Sequence, residues 1–217
     1  VPATLAEEVE LLKPDPAAQN NKFDMEAAKE VFDKCQMLGV QLVITNRSVA
    51  YASQVPAFIF DELGSTGHPV ALMLRKSQLK AISSLWERVR LDAADPGRLD
   101  LPSRCDTPWF EKTFCGGKKL GTLPAGCSIW PHISELNLYD PITLLAAHPT
   151  TLLQFFKAEA KIVNGVEHLV IGISDENPGI RDTPGLKSFI MDALRHALSS
   201  TLGHAARTVE ALRSGPR

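Results

Sequence analysis

Three groups of side chains in this sequence are of types that do chemistry. Asn20 and Asn21 stand just ahead of Asp24, where a helical pattern begins. Carboxamides both donate and accept hydrogen bonds, which suits sugar hydroxyls, and a helix start adds unsatisfied N–H groups. The same residues also make an ordinary polar loop with an Asx turn and a cap, and on the residues alone that simpler reading is preferred. Asp140, in Tyr139-Asp140-Pro141, follows the apolar stretch Ile129–Leu138. Its carboxylate suits a hard cation such as Ca²⁺ or the N-cap of a helix with proline at its first position. Taken alone the cap is favoured, because one carboxylate does not satisfy calcium. The histidines (His68, His132, His148, His168, His196 and His204) show no H-x-x-x-H pair or facial-triad spacing. His132 and His168 lie nearest apolar strands and read as structural. No G-x-S-x-G elbow, P-loop or dinucleotide G-x-G-x-x-G occurs.

The elements that must position these groups follow from periodicity. Residues 1–12 have an amphipathic helical pattern, and 13–21, with prolines and asparagines, read as a loop. From Asp24, the residues Ala27, Ala28, Val31, Phe32, Cys35 and Leu38 recur at helical spacing, and Gly39 suits the helix end. Val40–Thr45 (VQLVIT) is short and β-branched, the mark of a buried strand. A second helical segment is expected within 46–67, and a further helix from Pro69 that ends before Asp95-Pro96-Gly97. Residues 95–128 read as an irregular insertion rich in Gly, Pro and Cys. Its aromatics Trp109, Phe110 and Phe114, with Trp130 beyond it, suit local core more than an interaction surface. A helix at 140–147 is followed by strands 158–163 and 166–173 around Asn164-Gly165, a type I′ hairpin signal. A long helix begins near Gly185 behind Asp182-Thr183-Pro184. Helix, glycine turn and apolar strand in succession indicate an α/β protein, read as a single domain over 1–217.

Composition narrows the class. With 217 residues, 44% hydrophobic and 22% charged, and a formal charge of −2, the chain has the profile of an ordinary soluble globular protein. Nothing in it calls for a nucleic-acid partner, and no run approaches the ~20 apolar residues of a membrane span. A cytoplasmic or organellar location is expected. Cys35, Cys105, Cys115 and Cys127 match no zinc spacing and read as reduced thiols, with a cross-link among the last three as the alternative. The chain opens on Val1 rather than Met, which suggests a processed or truncated product.

Several segments taken in order resemble the inosine–uridine preferring nucleoside hydrolase family. Asn20 followed by Phe23-Asp24-Met25-Glu26-Ala27-Ala28 and Val31-Phe32 is similar to that family's N-x-x-x-D-P-E-A-A-x-x-V-[FY] stretch. Val40–Thr45 is similar to its V-P-L-x-V-T strand, and Tyr139-Asp140-Pro141 with Leu144-Leu145-Ala146-Ala147 to its H-D-P helix start. The resemblance spans most of residues 15–200. It implies an open, mostly parallel sheet with helices on both faces, incomplete at the N-terminus, and a site at the carboxyl ends of the strands. It also implies hydrolysis of the N-glycosidic bond of purine or pyrimidine ribonucleosides, with Ca²⁺ orienting the ribose and the attacking water. By that resemblance Asp140 takes the place of a calcium ligand, Asn20 that of a ribose-binding asparagine with Asn21 beside it, and Tyr139 that of the catalytic histidine.

The departures are specific. The family's glutamate falls on Ala18, its histidine on Tyr139, and its opening D-x-D-x-x-x-D-D motif has no counterpart in the chain. Two readings result. One is a nucleoside N-ribohydrolase completed by an Asp-rich segment outside this sequence. The other is a catalytically inactive relative that acts as a structural or binding protein, in a homo-oligomer or a protein complex.

Overall fold

A computed structural model describes residues 11–99, 101–121, 123–124 and 127–213, with side chains as far as Leu198. The helix expected over 1–12 lies largely outside these residues, and Leu11 and Leu12 are not helical. In chain order the elements are α1 (Gln19–Phe23), α2 (Met25–Met37), β1 (Val43–Thr45), α3 (Arg47–Ala52), β2 (Val55–Pro56), α4 (Phe58–Ser65) and α5 (Pro69–Val89). Then come α6 (Thr107–Phe114), β3 (Glu135–Leu136), α7 (Tyr139–Ala147), α8 (Pro149–Phe155), β4 (Glu159–Val163), β5 (Val166–Ile171) and α9 (Thr183–Arg213). Among the described residues no helix is long and apolar enough to cross a membrane.

The chain forms two compact units. The first combines the segment up to Ala52 with Tyr139–Thr183. Its sheet has the order β1-β5-β4. β1 runs parallel to β5, with Val43 opposite Leu169 and Thr45 opposite Ile171. β4 runs antiparallel to β5 through the expected Asn164-Gly165 turn, where both residues have positive φ (50° and 77°) as a type I′ turn requires. The central strand β5 buries His168 and Ile171 completely. The expected α/β class is therefore what the chain adopts: an open sheet containing a parallel ladder, with helices packed against it.

Two helices of this unit depart from expectation. Asp15 accepts from the Ala17 N–H at 2.8 Å and its carbonyl from the Ala18 N–H at 3.2 Å. That turn lets the chain coil into α1 where a loop was expected. In α2, Asp24 caps as predicted, accepting from the Ala27 N–H at 2.9 Å, and Gly39 ends the helix with φ +71°. The apolar stripe, however, leaves Val31 and Leu38 exposed, and the buried residue is Gln36. Gln36 Oε1 accepts from the Leu12 N–H at 2.7 Å, and its Nε2 donates to the carbonyls of Leu12 and Phe32, each at 2.9 Å. A buried amide is tolerated because these bonds satisfy it.

The second unit comprises Ser53–Leu138 and the chain from Pro184. The helical segment expected within 46–67 is divided into α3 and α4. β2 interrupts it by pairing antiparallel with β3, Val55 opposite Leu136. α5 starts at Pro69, and His68 caps it by accepting from the Val70 N–H at 3.1 Å. Its inward face holds Ala71, Ile82, Trp86 and Val89, worth about 1.5–3 kcal/mol for each of the large side chains fully buried. The 95–128 region carries α6, capped by Asp106 through the Trp109 N–H at 2.8 Å. Trp86 and Phe110, and Phe110 and Phe114, lie with ring centroids 5.0 Å apart, so this aromatic group is core. Arg88 and Arg98 fasten the intervening loop by donating to the carbonyls of Gly97, Leu99 and Cys105.

Candidate functional site

The carboxyl end of β1 is where the first unit brings polar groups together. Beyond Thr45 the chain leaves the ladder, and the Asn46 N–H donates to the Ile171 carbonyl at 3.0 Å. It then turns into α3, whose buried Ser48 hydroxyl donates to the Gly172 carbonyl at 2.9 Å. Gly172 has φ +80°, and a Cβ there would lie 2.5 Å from Val49 Cγ2 and 2.6 Å from Ser48 Oγ. Only glycine meets both demands, so the ends of β1 and β5 are held close to the start of α3.

The third side of this corner is α7, which packs on β1, α3 and α8. Ile142 and Ala146 anchor it, both essentially buried. On its outer side Thr45 Oγ1 and Thr143 Oγ1 are hydrogen-bonded at 2.7 Å, and Thr143 Oγ1 donates back to the Tyr139 carbonyl at 3.0 Å. The helix begins at Tyr139 itself. Asp140 lies inside the first turn, so it is not the N-cap that the sequence favoured when read alone. It is exposed, and a negative charge in that turn is favoured by the helix dipole. Tyr139 is 47% exposed, enough for its ring to meet a ligand.

Asn20 and Asn21 are in α1, whose packing partner is α2. Asn21 Nδ2 donates to the Asp15 carbonyl at 2.8 Å, so part of its amide is committed to the fold. Asn20 is exposed. Beside them Gln19 Oε1 is buried without a hydrogen-bond partner, a feature no spacing rule could have found. The two asparagines and the Tyr139-Asp140 pair thus belong to one unit but to different packing groups within it.

The histidines do what their surroundings dictate. His168 Nδ1 accepts from the Leu42 N–H at 3.0 Å, tying β5 to the start of β1. His132 and His148 are exposed. No disulfide forms among the described cysteines. Burial, with the negative charge of Glu111, pushes the Cys115 thiol up to about 11, so it stays protonated and inert.

Calcium takes about six to eight oxygen ligands. Among the described residues no group of three or more His, Cys, Asp or Glu side chains is gathered to hold a metal ion. Asp140 as a single carboxylate does not satisfy that ion.

No family model matches the chain, and no curated protein matches it. Solved structures do. The crystal structure of the effector protein XOO4466 is similar at 30% identity and a TM-score of 0.68, over 88% of this chain and 50% of that one. The type III effector protein XopQ, complexed with adenosine diphosphate ribose, is similar at 30% identity and a TM-score of 0.68, over 87% of this chain and 48% of that one. The chain spans about half the length of these structures. This corrects the reading as an inosine–uridine nucleoside hydrolase. The likeness is to effector proteins, and what it shares with the hydrolases is the nucleoside hydrolase-like fold. The motifs that suggested the family mark how such a fold is built, namely a capped helix, an apolar strand and an Asp-Pro helix start. None of them is specific to one chemistry.

Proposed function

We propose that this chain binds a ribose-containing ligand of the ADP-ribose class at the carboxyl end of β1, as a recognition protein related to the XopQ-type effectors. The observation that carries the reading is the Tyr139-Asp140 pair. It is exposed on the first turn of a helix fastened to a parallel strand end, the usual ligand position in open α/β sheets. That a similar structure holds adenosine diphosphate ribose supports the choice of ligand.

In this reading Asp140 accepts hydrogen bonds from ribose hydroxyls, each charge-assisted. The Tyr139 ring offers a face for the base. Hydrolysis of an N-glycosidic bond is the second reading, favoured by the fold alone. It requires a general base within reach of the attacking water, a role for which Asp140 is the candidate.

Calorimetric titration with ADP-ribose tests the first reading, and an assay for released ribose on the same samples tests the second. Asp140→Asn keeps the shape and removes the charge. It is expected to weaken ADP-ribose binding by about ten- to a hundredfold, the scale of a hydrogen bond to a charged group. Unchanged affinity in that variant would remove Asp140 from the site.

A further inference from the structure

The protons at the end of β1 can be counted. A threonine hydroxyl has a single proton to give. That of Thr143 is committed to the Tyr139 carbonyl at 3.0 Å. Either oxygen can donate in the 2.7 Å hydrogen bond between the two threonines, and with the Thr143 proton so used the donor is Thr45. The outcome is a one-way relay from Thr45 to Thr143 to the Tyr139 carbonyl. It starts on the last residue of the strand and ends on the first residue of the helix.

A side chain that bonds its own carbonyl four residues back slightly loosens a helix when it does nothing else. Here the same hydroxyl also receives a bond from the neighbouring strand, so the first turn of α7 is fastened to β1 from outside the core. Ile142 and Ala146 fix the helix axis from the buried side. The relay fixes the rotation of the turn that carries Tyr139 and Asp140.

We propose that Thr45 and Thr143 are positioning residues for ligand recognition, acting through Tyr139 and Asp140. This rests on the ribose-binding reading above. Neither threonine needs to touch the ligand. Their effect is to hold the carboxylate and the ring in the geometry that binding uses, so that less freedom is lost when the ligand arrives.

The test is calorimetric titration of ADP-ribose into the wild type, Thr45→Val, Thr143→Val, the double variant and Thr143→Ser, with melting temperatures measured alongside. Each valine variant is expected to bind about three- to tenfold more weakly, on the scale of one neutral hydrogen bond. The double variant should lose no more than the weaker single variant, because the two hydroxyls form one unit. Thr143→Ser should recover wild-type affinity. Equal affinity of wild type and Thr143→Val overturns the positioning role and leaves the ribose reading standing. Failure of Thr143→Ser to recover, or weakening that merely follows a lowered melting temperature, also overturns it. A wild type that does not bind ADP-ribose overturns the ribose reading, and this inference with it.

Discussion

Asp61 accepts from Arg75 Nε at 2.7 Å and from Trp130 Nε1 at 2.9 Å. Burial pushes its carboxyl up, but the Trp130 hydrogen bond and then the bond and charge of Arg75 outweigh it and leave the group below its usual range. The stabilisation is therefore present above the ordinary aspartate value of about 3.9. It is lost as pH falls through the lower folded-state value. Asp61→Asn should be less stable than wild type at neutral pH, and the two should converge below about pH 4. The side chain is 44% exposed, so solvent screens the pair and the effect is modest. Urea denaturation over a series of pH values checks this, and a constant gap between the two proteins down to acid pH would contradict the assigned shift. The Glu62 carboxylate is lowered in the same sense by its hydrogen bond from Arg195.

At the scale of elements, glycine conformation gives a sharp comparison. Gly172 and Gly117 both have positive φ (80° and 79°), but an added Cβ meets Val49 and Ser48 at the first and open space at the second. Gly117→Ala should cost about 1–2 kcal/mol from the left-handed backbone alone. Gly172→Ala should add about 1–3 kcal/mol of overpacking. Equal losses in chemical denaturation would mean that the end of β5 yields to the new methyl group. The elements most legible in the sequence were those with local punctuation: α2 with its Asp24 cap and Gly39 stop, α5 behind Pro69, and the Asn164-Gly165 hairpin. What escaped was set by tertiary partners. β2 exists because β3 is opposite it, and α1 because Asp15 organises the turn before it. The first turn of α7 is tied to β1 by two threonines 98 residues apart in the chain. The candidate site was legible in part for the same reason. Asp140 and Tyr139 stand out by type, whereas the Thr45–Thr143 pair has no sequence signature.

For the molecule as a whole, ligand binding and folding are linked. A ligand that binds only the folded protein adds about 2.7 kcal/mol when present at a hundred times its dissociation constant. In a chain of 217 residues that should raise the melting temperature by about 5–10 °C. ADP-ribose should produce this rise in wild type, and at the same ligand concentration Asp140→Asn should show much less of it. A scan with no shift in wild type would count against the recognition reading as directly as a flat titration.

The distribution of rings has an optical consequence. Trp86, Trp109 and Trp130 all fall within Ser53–Leu138, whereas both tyrosines, Tyr51 and Tyr139, fall in the other unit. Indole emission therefore watches one half of the protein without any label, and phenol absorbance watches the half that carries the candidate site. A ligand that stacks on Tyr139 should leave its mark in the near-ultraviolet bands of the phenols while the three indoles keep their spectrum.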